Sequence, residues 1–165
     1  MDIDPQDLER YRQMATRTEA REAFDRITAR AQRSLAIFDD CGEFWGLERK
    51  AFADAAASLL ARHRDASITI VVHDLAHIER RCPRLTTLLR AHSPRLRVLQ
   101  SDPSVRAYSR GLVIADETVV LRRAHFDQPM SFLDFDEAAV AASIKLFAEL
   151  VDNALPGVSA QVTGL

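Results

Sequence analysis

Three sets of side chains in this 165-residue chain have types and spacings that could do chemistry. Arg122, Arg123 and His125 place two guanidinium groups and an imidazole within four positions, a pattern suited to bidentate contacts with phosphate. His73 and His77, four apart, would share one face of a helix that began early enough. With Asp39 they would make a His/carboxylate set for a divalent metal. Phe44 and Trp45, between Gly42 and Gly46, could present a stacking platform for a nucleobase or a lid over a cleft.

Each set has a plainer assignment. Asp74 can cap the helix after it, leaving His73 at a strand end and His77 at the surface; HDxxH alone is a weak metal signal, and capping is the expectation. Alternation along a strand puts Arg122 and Arg123 on opposite faces of a sheet, so one would enter a given cleft while the other pairs with acids in the stretch 134–137. The aromatic pair is expected to anchor its loop on the core. Cys41, in a loop beside Gly42, could be a reactive thiol, but Cys41 and Cys82 lie 41 positions apart without CxxC spacing. That excludes a zinc knuckle and a disulfide framework and leaves two reduced thiols, with no cofactor implied.

Composition sets the frame for these residues. The chain is 47% hydrophobic and 28% charged, ordinary for one globular domain with a real core. Its apolar runs are only a few residues long, and Met1-Asp2-Ile3-Asp4 lacks the basic start of a signal peptide, so a cytoplasmic protein with no membrane partner is expected. The net charge of −2 hides a polarity: residues 77–125 hold ten arginines against four acids, and residues 126–165 hold one lysine against six acids. A basic middle could bind anions, or the acidic tail could fold against it.

The elements that must position these residues are legible. Asp4-Pro5 opens a short polar helix, read with the rest of residues 1–17 as a peripheral extension of a domain spanning 18–165. Thr16-Arg17-Thr18-Glu19 is a capping box, and Ala20, Phe24, Ile27 and Ala31 share one face of the helix that follows. SLAIFDD (34–40) and SITIVVHD (67–74) read as strands flanking a helix over about 47–63. A helical stretch from Leu75 should break at Pro83, and RLRVLQ (95–100) is a third strand. GLVIAD (111–116) and TVVLRR (118–123) are joined too tightly for a crossover and must form an antiparallel hairpin. Val140, Ile144, Phe147 and Val151 mark a last helix, stopped near Pro156-Gly157. The order predicts a single α/β domain with a mixed, mostly parallel sheet flanked by helices.

A βαβαβ start, a hairpin and a closing helix resemble one half of the phospholipase D-like superfamily. That family carries His-x-Lys-x(4)-Asp on the first hairpin strand and Gly-Ser or Gly-Gly at the end of the second. Setting the family aspartate on Asp116 puts Ser109 at the nucleophilic histidine, Gly111 at the phosphate-binding lysine and Arg123-Ala124 at the Gly-Ser pair. The chain is also similar to small bacterial domains of unknown function in this superfamily, through Ser34-Leu35-Ala36-Ile37-Phe38, the stretch Pro83 to Arg90, and Phe147-Ala148-Glu149-Leu150.

The resemblance implies a catalytically inactive member. The family's chemistry needs an imidazole nucleophile and a second motif copy to protonate the leaving group, and glycine offers phosphate no charge. It implies a binding or assembly role, with Arg122, Arg123 and His125 the expected contacts for a phosphate-containing ligand or nucleic acid. One copy per chain suggests a homodimer. A metal-assisted hydrolase built on Asp39, His73, His77 and Asp116 is the alternative, and a domain that only binds a protein partner, through the loop around Trp45, is the third reading.

Overall fold

The first two helices start where their capping residues place them. In the computed structural model, which describes residues 4–159, Asp4 accepts the Gln6 N–H ahead of α1 (Pro5–Arg10). The Thr16 hydroxyl accepts the Glu19 N–H at 3.1 Å and donates to its carboxylate at 2.9 Å, starting α2 (Arg17–Arg30). Then follow β1 (Ser34–Asp39), α3 (Lys50–Arg62), β2 (Ser67–Val72), α4 (Ala76–Arg81), α5 (Pro83–His92) and β3 (Leu96–Gln100). Pro83 separates α4 from α5 as expected, since its ring cannot sit inside a continuous helix. The chain continues through β4 (Gly111–Ala115), β5 (Val119–Arg123), β6 (Ser131–Asp134), α6 (Glu137–Asp152) and β7 (Leu155–Pro156).

The seven strands form one sheet in the order β6-β5-β4-β1-β2-β3-β7. β1, β2 and β3 are the expected parallel trio. The expectation of a mostly parallel sheet is corrected, because the other four pairings are antiparallel. The hairpin enters beside β1 in the opposite direction, and the short strands β6 and β7 extend both ends. β6 hides in a stretch read as loop after Pro129, and β7 is two residues long and contains a proline.

Strand alternation sorts the core into two layers. Leu35, Ile37, Ile68, Ile70, Val113 and Leu121 face α2, α3 and α5, while Phe38, Val71, Ile114 and Val120 face α6. Tyr11 and Met14 are buried in the first layer. Met14 exchanges backbone hydrogen bonds of 2.8 and 2.9 Å with Ser131, and Tyr11 O accepts the Leu133 N–H at 3.1 Å. The stretch read as a peripheral extension is therefore tied to the sheet from residue 11 onward. Among the described residues no helix is long and apolar enough to cross a membrane.

The hairpin turns on Asp116 and Glu117, with φ of 54° and 57° and a Thr118 N–H to Ala115 O bond of 3.1 Å. Two left-handed residues match the right-handed twist of the flanking strands. The Asp116 carboxylate accepts the N–H groups of Gln32, Arg33 and Ser34 at 2.7 to 3.1 Å, fixing the chain where it enters β1. Asp116→Ala is expected to cost about 2 kcal/mol, as a charged acceptor serving several amides is lost. A lowered urea midpoint with an unchanged m-value would show it.

Candidate functional site

Arg123 ends β5 on the α2/α3 side of the sheet, and its neighbour Arg122 projects to the other side. The Arg123 side chain is only 8% exposed. Its Nη1 lies 3.5 Å from Asp39 Oδ1 and 3.9 Å from Asp40 Oδ1. Nε donates to Gln128 O at 3.1 Å, Nη2 donates to Phe126 O, and the guanidinium carbon sits 3.7 Å from the centre of the Phe44 ring. Gly111 is its cross-strand partner. A Cβ at Gly111 would stand 3.1 Å from Arg123 Cβ and 3.5 Å from Asp39 Oδ1, so the missing side chain leaves the space the arginine occupies.

Asp39 is fully buried and accepts the Gly42 N–H at 2.8 Å. Burial first, and the Asp40 carboxylate second, push its carboxyl up to about 7, against the opposing pull of Gly42 N–H and Arg123. Cys41 beside it is pushed up to about 11, chiefly by burial, and is a protonated thiol at neutral pH rather than the reactive thiolate its loop position could have made. Arg17, Asp40, Cys41, Glu43, Phe44 and Arg123 line a depression of about 200 Å³, below the usual range for small-molecule pockets. The acids there and the inward-turned guanidinium leave little to attract a phosphate.

The structure does not bring Arg122, Arg123 and His125 together. Arg122 pairs with Asp134 at 2.9 Å across the opposite face, the pairing anticipated for one of the two arginines. His125 lies past the strand end, where Nδ1 accepts the Asp127 N–H at 3.0 Å. Ser109 precedes β4; its carbonyl accepts the Phe126 N–H at 2.8 Å, and among the described residues no base is bonded to its hydroxyl.

The candidate metal set Asp39, His73 and His77 is also dispersed. Asp39 faces Arg123. His73 lies on the α6 side, edge-on to Phe38 and Phe126, with Nδ1 bonded to the buried Ser101 hydroxyl and Nε2 2.8 Å from Tyr108 O. His77 meets Glu48 at 3.1 Å. Asp116 stands at the far end of β4 from Gly111, about 17 Å away at 3.4 Å per residue, so the four-residue hydrolase set has no common centre. Asp74 accepts the Ala76 N–H at 2.8 Å, as its capping assignment requires. Trp45 is fully buried, stacked on Phe24 at 5.4 Å, and anchors its loop. Glu48, Phe126 and Tyr108, which complete the surroundings of His77 and His73, lie in irregular stretches without periodicity to mark them.

Residues 16–155 match the family described as Domain of unknown function (DUF7931). The chain belongs to that family. No curated protein matches it. Among solved structures, this DUF7931 chain is similar to TrmBL2, an archaeal chromatin protein whose structure shows a mode of DNA binding, with a TM-score of 0.62 and 16% identity over 87% of this chain. It spans about half of that protein, 52% of its length. NucT from Helicobacter pylori aligns with a TM-score of 0.62 and 12% identity over 85% of this chain and 92% of its own. Nuc from Salmonella typhimurium, a phospholipase D family member, aligns with a TM-score of 0.59 and 10% identity over 84% and 91%. At these identities the likeness concerns the fold, and the DUF7931 domain is phospholipase D-like in architecture.

Proposed function

We propose that this domain is a non-catalytic phospholipase D-like module that binds a phosphate-bearing polymer, nucleic acid, without hydrolysing it. The observation that carries the reading is the occupancy of the hairpin's motif end. Ser109 stands where the family's nucleophile would be, Gly111 replaces its lysine, and the space above Gly111 holds Arg123, locked by Asp39, Phe44 and two carbonyls. Neither Ser109 nor Gly111 offers an imidazole to take a phosphoryl group.

The cations that can reach a polyanion lie elsewhere. Arg80, Arg81, Arg84 and Arg90 on α4 and α5, with Arg106 and Arg110 before β4, are exposed, and among the described residues none has an acidic partner. Exposed guanidinium groups without acidic partners supply the sequence-independent part of nucleic-acid affinity by releasing counterions. The DNA binding of TrmBL2 is in keeping with this.

Fluorescence anisotropy with short labelled duplex and single strands tests the binding. Affinity should fall steeply between about 50 and about 200 mM salt. Combining Arg80→Ala, Arg81→Ala and Arg84→Ala should reduce the salt slope by about one unit per contact removed. Absence of binding at low salt would overturn the ligand assignment. Turnover of bis(p-nitrophenyl) phosphate by the purified protein would overturn the non-catalytic reading.

A further inference from the structure

Away from the hairpin, side chains from separate segments converge on one point. Glu48 on the loop ahead of α3, His77 on α4 and Cys82 at the α4–α5 junction each present a ligand atom, all within 4.8 Å of one another. The His77 Nε2 to Glu48 Oε2 separation of 3.1 Å is close to the edge of a tetrahedron with metal–ligand bonds of about 2.0–2.1 Å. Cys82 is fully buried, and the side chains of His77 and Glu48 are 15% and 31% exposed, so the cluster is partly open to solvent.

The helix break produces this convergence. Residues five apart in a continuous α-helix point about 140° away from each other at 3.6 residues per turn. α4 instead ends at Arg81, and Cys82, with φ −115° and ψ 59°, leaves the helical path before Pro83. That brings its thiol beside the His77 ring.

We propose that Glu48, His77 and Cys82 bind a thiophilic divalent cation of the zinc class. Carboxylate, imidazole and thiolate donors in a small cluster suit tetrahedral zinc or cobalt, whereas calcium and magnesium require shells of oxygen. Bound there, the cation would staple the loop carrying Glu48 to α4 and the α4–α5 junction.

The test is cobalt(II) added to the full chain after dialysis against a chelator. One equivalent should produce tetrahedral visible bands and a near-ultraviolet thiolate-to-cobalt charge-transfer band, both erased by zinc. Cys82→Ser should abolish the charge-transfer band. His77→Gln, at a partly exposed position and therefore tolerable to the fold, should weaken binding by more than the ~10- to 100-fold typical of losing a hydrogen-bonded support for a ligand. Circular dichroism of the metal-free variants confirms folding. No charge-transfer band, or binding indifferent to both Cys82→Ser and His77→Gln, would overturn the site.

Discussion

Replacing Arg123 by alanine should destabilise the domain by about 3–5 kcal/mol at about pH 8, the cost of removing one partner of a buried ion pair. The loss arises mainly from what is left behind. Asp39 has no exposed surface, so without the guanidinium its charge keeps only the Gly42 N–H and the more distant Asp40, which repels it. The carbonyls of Phe126 and Gln128 lose their donors as well. Arg122→Ala is the control: its pair with Asp134 is exposed on the arginine side, and the loss should stay below about 1 kcal/mol. Urea titrations of both variants decide the matter, and an equal, small loss would mean that Arg123 does not lock the hairpin.

The second large effect is a pH dependence centred on Asp39. Its carboxyl titrates near 7 in the folded protein and near 3.9 in the unfolded chain, so folding favours the protonated form. The resulting stabilisation is complete below about pH 4 and is lost as pH rises through about 7. At about 1.4 kcal/mol per pKa unit the span is on the order of 4 kcal/mol. Asp39→Asn cannot ionise and should lack this fall, so the difference in stability between variant and parent should change across that window and flatten above it. Denaturant midpoints at a series of pH values measure it; parallel curves would show that Asp39 is ionised throughout. The Arg123→Ala penalty should shrink near pH 5, where a neutral Asp39 no longer needs a counter-charge.

Local rules carried most of the fold. Thr16 and Glu19, Pro83, and the apolar run before Asp116 each act over a few residues, and each appears where those residues put it. The strands at the sheet's ends were not legible, because Ser131–Asp134 is stabilised by pairing with β5 and with Met14 rather than by a pattern of its own. The site was legible only in part. Alternation separated Arg122 from Arg123 correctly, but nothing in the spacing of Asp39 and Arg123, 84 positions apart, indicates that the two meet. His77 was visible as a ligand type, whereas its partners Glu48 and Cys82 depend on a loop path and a helix break that only tertiary packing sets.

Both outer strands are covered by the chain's own ends. Tyr11 and Met14 bond to β6, while Leu155 and Pro156 pair with β3, and Gly157 runs so close to Val98 that a Cβ would stand 2.2 Å from its carbonyl oxygen. Uncovered, either strand would present unpaired amides and carbonyls as a template for a second chain. The family match begins at residue 16 and ends at residue 155, inside both covers. A fragment trimmed to those limits would keep α2 to α6 and the hairpin but lose α1 and carry two open sheet borders, and self-association is the failure expected of them.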